Sequence, residues 1–328
     1  MSARQIVRYG ILLGVVLALS ACGTPEPTAT PNPTSTPVPG PFTVTVLYTN
    51  DGWGYTEPCA CDPAIGGLAR RAAYIRSVRD QVEHVLVVDA GDSLLTLQRI
   101  GDLEQGRVLA EAFNQMGYDA VALGGMDFRM GLEVLREQIQ VADFAVLSAN
   151  TLDPQTQDVF DEAYTIVEQS GRRIALIGLT DPKTVQEVTQ GEVLVTEPVQ
   201  TLMQTVDEIR DDVDVVIVLS HLGFMFDVNL NQVVPDVDMI VSGRDTEVYH
   251  PPITSSGPVI VSAGSRGEYI GRVDLHFDVD ANLVNLDSHM QILTDEVEDD
   301  PEMRQWMAQS GMIPASALKP GTSGQFSP

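Results

Sequence analysis

Between about residues 43 and 291 the chain alternates short β-rich runs with segments of helical period. The arrangement that satisfies such alternation is a layered α/β domain, strands in sheets with helices laid over them. Strands are expected at Thr43–Tyr48, His84–Val88, Ala120–Leu123 and Phe144–Ser148, with helices at Leu68–Val82, Gln105–Met116 and Gly131–Gln140 between them. In the first helix Leu68, Ala72, Ile75 and Val78 recur at three- and four-residue spacing, which places them on one face. A hairpin-like pair, Ala163–Gln169 and Arg173–Leu179, interrupts the alternation. A helix at Val199–Arg210 follows, then strands at Val213–Ser220, Met239–Ser242, Val259–Ala263, Tyr269–Phe277 and Leu283–Gln291. A last helix falls within Glu296–Gln309, and the Gly, Pro and Ser content from Ser310 onward predicts a mobile tail.

In α/β folds the chemistry gathers where strands end and loops begin. Four of these ends are polar: Asn50-Asp51, Asp89-Ala90-Gly91-Asp92, Gly124 to Phe128, and Ser220-His221. Together they predict a polar cluster over an apolar sheet.

Taken in order, Tyr48-Thr49-Asn50-Asp51, Gly66-Gly67-Leu68-Ala69-Arg70, Asp89-Ala90-Gly91-Asp92, Gly117-Tyr118-Asp119-Ala120-Val121, Ser148-Ala149-Asn150, Leu219-Ser220-His221-Leu222-Gly223 and Ser242-Gly243 form a series. This series resembles the motifs of the 5'-nucleotidase branch of the calcineurin-like metallophosphoesterases over about residues 43 to 278. Val259–Phe277, with Gly264, Gly267 and Gly271, is similar to the closing strands of that domain. The resemblance implies an αββα sandwich of two mixed sheets flanked by helices. It also implies hydrolysis by two metals about 3.5–4 Å apart that clamp a phosphate ester and activate a water.

Residue by residue, the resemblance carries over only in part. Asp51 matches the aspartate of the family's Asp-x-His, but Trp53 stands at the histidine. Asp92 matches the bridging aspartate and His221 the metal-binding histidine of the Ser-His motif. Gly125 and Met126 occupy the Asn-His positions of Gly-Asn-His-Glu, so the catalytic histidine position is Met126, with Asp127 after it. In the Gly-His-Thr-His motif Arg244 and Thr246 replace both histidines. The first metal site thereby keeps Asp51 and Asp92, and the second keeps Asp92 and His221. Three protein ligands are usual for a catalytic zinc, so the expectation is no catalytic metal. Arg244 is expected to substitute its charge for a cation by pairing with Asp92 or Asp51. A remodelled site from Asp127, Asp245, Glu247 and His250 would suit Mg²⁺, Ca²⁺ or Mn²⁺.

Cys59 and Cys61 lie in the loop after the first strand. Three readings stand: a local disulfide, a soft-metal site shared with His221, or inert loop cysteines.

The N-terminus reads as a leader. Arg4 and Arg8 precede an apolar run from Ile11 to Leu19, and Leu19-Ser20-Ala21-Cys22 resembles the lipobox of bacterial lipoproteins. The run is too short to span a bilayer, which takes about 20 apolar residues. Residues 1–21 are therefore expected to be a signal peptide and Cys22 a diacylated anchor. The stretch 22–41 is a Pro/Thr-rich tether, able to reach roughly 60 Å in polyproline II form. Residues 42–295 would be the folded domain and 296–328 a short helix and tail. The net charge of -27 becomes -29 without the two leader arginines, which argues against nucleic acid as a partner. The expected protein is an extracytoplasmic, membrane-anchored lipoprotein that binds or scaffolds without hydrolysis. The alternatives are a phosphoric ester hydrolase with a remodelled or single-metal site, and a lipoprotein whose old site serves only stability.

Overall fold

The computed structural model describes residues 40–95, 104–254 and 257–318. The signal peptide, Cys22, the tether up to residue 39 and the last ten residues lie outside this set. No helix among the described residues is long and apolar enough to cross a membrane.

The first half of the chain runs β1 (Phe42–Thr49), α1 (Leu68–Arg79), β2 (Val85–Asp89), α2 (Glu104–Met116), β3 (Ala120–Ala122), α3 (Leu132–Val141) and β4 (Ala145–Leu147). A 3₁₀ turn, Gly125–Met130, precedes α3. Next come β5 (Thr151–Leu152), β6 (Tyr164–Gln169), β7 (Arg172–Thr180), α4 (Pro182–Thr189), β8 (Leu194–Val195) and α5 (Pro198–Ile209). The chain continues through β9 (Val215–His221), α6 (Phe224–Val233), β10 (Met239–Ser242), β11 (Val248–Ile253) and β12 (Val259–Ala263). It closes with β13 (Tyr269–Phe277), β14 (Leu283–Ile292) and α7 (Pro301–Gln309).

Two six-stranded mixed sheets result, ordered β14-β13-β1-β2-β3-β4 and β11-β12-β10-β9-β7-β6. Within the first, β1 to β4 run parallel and β13 and β14 close one edge antiparallel. In the second, β7, β9, β10 and β12 run parallel, with β6 and β11 antiparallel at its edges. The parallel strands are buried on both faces, so they read as continuous apolar runs such as Val85–Val88 and Val215–Leu219.

Alternate residues of the two sheets meet in a central layer: Val44, Val46 and Leu86 pack with Leu176, Ile217 and Val241. The opposite faces of the same strands pack under helices, Leu47 and Val87 with α1 and α2, and Ile177 and Val218 with α5 and α6. This is the expected αββα sandwich. Helices α4, α5 and α7 share a start signal: an acidic N-cap, Asp181, Glu197 or Asp300, with proline next. The cap carboxylate accepts the free N–H groups of the first turn, and proline supplies a preset φ where no N–H is needed.

Residues 296–318 are part of the domain, because Met303, Met307 and Ile313 are buried in the same apolar layer as Ile75 and Val78 of α1. Composition suggested mobility from Ser310, but Ile313 N–H donates to Met307 O at 3.1 Å and its side chain is 4% exposed. At the other end Arg172 holds the entry of the chain. It pairs with Asp214 at 2.7 Å, donates to Gly40 O and lies over the Phe42 ring.

Candidate functional site

The parallel strands of both sheets deliver their C-terminal ends to one place. Asp51 follows β1, Asp92 follows β2, and His221 ends β9. The structure brings these three together, each offering one ligand atom within 4.8 Å of the others, and all are buried. His221 Nε2 lies 3.3 Å from Asp51 Oδ1 and 3.4 Å from Asp92 Oδ2.

Each carboxylate is aimed by backbone. Asp51 Oδ2 accepts from Arg244 N–H at 2.8 Å and from the Asn50 amide at 2.9 Å, leaving Oδ1 to face the imidazole. Asp92 Oδ1 accepts from Met126 N–H at 2.8 Å, leaving Oδ2 to do the same. The loop carrying Asp92 is fixed by Asp89, which accepts from Thr49, Gly91 N–H and Ser93. Asp51, Trp53, Asp92 and Arg244 all adopt positive φ, between 47° and 75°. Such conformations cost side-chain-bearing residues about 1–3 kcal/mol each and cluster at functional sites. The His221 ring sits between two glycines: a Cβ on Gly91 or Gly243 would lie 2.9 Å from its Cδ2.

The charges follow from this enclosure. Burial alone would depress the His221 pKa, but Asp92 and Asp51 outweigh it and raise the imidazole to about 10. Burial pushes the Asp92 carboxyl up, against the lowering effect of His221. The cluster thus holds one imidazolium between two acids, of which Asp92 ionises reluctantly.

The substituted positions are filled, each in its own way. Gly125 packs so closely on α4 that a Cβ there would meet Thr184 Cβ at 2.5 Å, so no ligand side chain fits in this arrangement. Trp53 and Met126 are half-buried, and both turn backbone N–H groups toward Asp92. Thr246 is exposed. Arg244 does not pair with Asp51 or Asp92 as its charge suggested. Its guanidinium turns away, donating to Leu222 O at 2.9 Å and reaching Asp181 at 3.4 Å. His221 had already taken the place beside both carboxylates.

The proposed replacement ligands are not assembled. Asp127 is buried and accepts from the N–H groups of Asp92, Leu94 and Gly124, which makes it a brace for the loop. Burial, then the nearby Asp92 charge, raises its pKa to about 8. Asp245 accepts from Phe224 N–H at the start of α6, and Glu247 and His250 are exposed. Cys59 and Cys61 are joined by a disulfide, with Cα atoms 5.2 Å apart.

Three contributors escaped the sequence reading. Asp181 caps α4 and Thr184 lies in its first turn; the Asp-Pro pair at this start is the one sequence signal for a helix too short to show a period. Asp227, on α6, is buried and accepts from Ser220 Oγ and Ser242 Oγ, at the ends of β9 and β10. Its helix mixes apolar residues with Asp227, Asn229, Asn231 and Gln232 around the axis, so no periodicity marks that face.

The sequence and the fold both have known counterparts. Bovine (Bos taurus) 5'-nucleotidase is 29% identical over 302 residues, covering 80% of this chain and 52% of that protein. The structure of a 5'-nucleotidase precursor from Thermus thermophilus superposes with a TM-score of 0.73 at 26% identity, covering 83% of this chain and 59% of that one. The chain matches the metallophosphatase domain of the 5'-nucleotidase branch. A calcineurin-like phosphoesterase from Bacillus subtilis shares the fold, with a TM-score of 0.70 at 20% identity over 83% of this chain and 97% of that one. No protein-family model matches the chain. The chain spans about half the length of the curated relatives it matches.

For this metallophosphatase-like domain the fit of a metal can be tested on its own donors. Two metals do not fit: among the described residues only Asp51, Asp92 and His221 converge, and Gly125 leaves no room for a further ligand. One metal does fit the donor set, two carboxylates and an imidazole, which is the minimum usual for a catalytic site. Such an ion would supply Lewis acidity. His221 would have to give up its proton to serve as a ligand.

Proposed function

We propose that this domain is a phosphoesterase-fold protein that has given up two-metal hydrolysis and serves as a binding or scaffold protein. The observation that carries this reading is the closed cluster itself. His221 Nε2 already occupies the approach to both Asp51 and Asp92, and no other described donor converges there. Losing one positioned electrostatic group commonly costs about 10²–10³ in rate, so losing the donors at Trp53, Gly125, Met126, Arg244 and Thr246 leaves almost nothing. The protein is held, on this reading, at an extracytoplasmic membrane surface by lipid on Cys22, with residues 23–41 as the tether.

A second reading rests on one specific observation: the three ligand atoms lie within 4.8 Å of one another, the spacing a single ion requires. It makes the protein a phosphoric ester hydrolase with one metal. Metal analysis of purified protein, with phosphomonoesterase assays in Mn²⁺, Zn²⁺, Mg²⁺ and Co²⁺, separates the two. The expected result is no turnover above an Asp92→Asn control. One or two bound metals with turnover abolished by that substitution would overturn the non-hydrolytic reading.

A further inference from the structure

The disulfide between Cys59 and Cys61 encloses a single residue, Ala60, and the loop around it is tied down by other contacts. Cys59 N–H donates to Ile65 O at 2.9 Å, which already closes the loop. Gly66 N–H donates to Leu293 O, Arg70 donates to Ala64 O, and Arg304 pairs with Glu57. Both stems are thereby tied to the body of the domain. A bond closing so short a loop removes little entropy from the unfolded chain. Its reason for being there lies elsewhere.

The two sulfurs stand in opposite hydrogen-bonding environments. Ile65 N–H points at Cys59 Sγ from 3.3 Å, a donor that stabilises a thiolate. Cys61 Sγ lies 3.2 Å from Pro63 O, an acceptor that favours the protonated thiol once the bond is open. Exposure divides them the same way: Cys61 is exposed and Cys59 half-buried. Thiol–disulfide exchange goes fastest when the attacked sulfur is accessible and the departing one has the lower pKa. Attack at Cys61 with departure of Cys59 satisfies both conditions.

We propose that Cys59–Cys61 is a thiol–disulfide exchange site that oxidises an external dithiol. The first thiolate of the dithiol bonds to Cys61 Sγ while the Sγ–Sγ bond breaks, and its electron pair leaves on Cys59 Sγ beside Ile65 N–H. The second thiolate of the same molecule then attacks the external sulfur of the mixed disulfide. It forms the partner's internal disulfide, and Cys61 leaves as a thiolate that takes a proton from water. One dithiol loses two electrons and one protein disulfide gains them. The net charge of -27 selects against anionic thiols, so the partner is a neutral or cationic dithiol.

The test uses the full chain purified without reductant, with cysteamine as the attacking monothiol, acid quench and peptide mapping of the adduct. The expected adduct is on Cys61, at least about tenfold over Cys59, and Ile65→Pro, which removes the donor, slows its formation about fivefold. In parallel, the Cys59→Ser/Cys61→Ser double variant should lower Tm by less than about 5 °C and lose all oxidation of dithiothreitol. Adducts divided evenly between the sulfurs, or located on Cys59, overturn the proposal. So does a larger fall in Tm, which would make the bond structural.

Discussion

Two halves of the strand-end cluster are built differently. On one side Asp51, Asp92 and His221 converge, with backbone N–H groups aiming both carboxylates and glycines flanking the imidazole. On the other, the residues around Gly125 and Arg244 form a set of mutually fitted contacts. Thr184 packs on Gly125, Asp181 caps α4 and accepts from Thr184, and Arg244 reaches Asp181. The first half is held by main chain, and the second by side chains fitted to one another. A strand-end aspartate fixed by neighbouring peptide groups is difficult to dislodge. A position whose partner is one side chain can be refilled by a small helix.

The largest effect should come from the first half. His221→Ala leaves two acids buried face to face, and breaking a buried ion pair from one side costs about 3–5 kcal/mol. Urea unfolding at neutral pH measures it, and a loss under about 1 kcal/mol would show that the cluster does not hold its half of the site together.

The next test concerns Asp227, beneath the strand end that carries His221. Burial raises its pKa from 3.8 to about 7, against the lowering effect of Ser220 and Ser242. The folded state therefore keeps a proton that the unfolded chain gives up. The stability this contributes is full below about 3.8 and is lost as pH rises through about 7. Relative to Asp227→Asn, the wild-type protein should lose on the order of 4 kcal/mol between about pH 4 and pH 8, since a pKa difference of one between folded and unfolded chains is worth about 1.4 kcal/mol. Parallel pH profiles for the two proteins would remove Asp227 from the account.

The smallest effect should come from the second half. Gly125→Asn introduces the side chain that the resemblance implies at this position but drives a Cβ into Thr184, and overpacking of this kind costs about 1–3 kcal/mol. Thr184→Gly in the same chain should recover most of that loss. If Gly125→Asn is neutral alone, α4 does not seal the site, and the contrast between the halves weakens.

Much of the fold was legible because strands buried on both faces have little choice of residue. Val85–Val88, Val215–Leu219 and Val259–Ala263 announce themselves as apolar runs, and the retained residues stand directly after such runs or at their ends. The helices at Pro182–Thr189 and Phe224–Val233 were not legible, and with them Asp181, Thr184 and Asp227 stayed hidden. The first is short, and the second mixes apolar and polar residues around its axis, so no face stands out.

The sequence by itself determined the layered α/β class, the order of its strands and the strand-end positions of Asp51, Asp92 and His221. These are properties of local pattern, readable because side-chain periodicity reports burial one strand or helix at a time. Only the tertiary structure decided what these residues and their neighbours touch. Arg244 carries the charge that would neutralise Asp51, yet its guanidinium serves Leu222 and Asp181, because His221 is closer and better enclosed. Asp127 has the chemistry of a ligand, yet three peptide N–H groups consume it. Competition among partners far apart in the chain is settled by distance and desolvation, and neither is written in the order of residues.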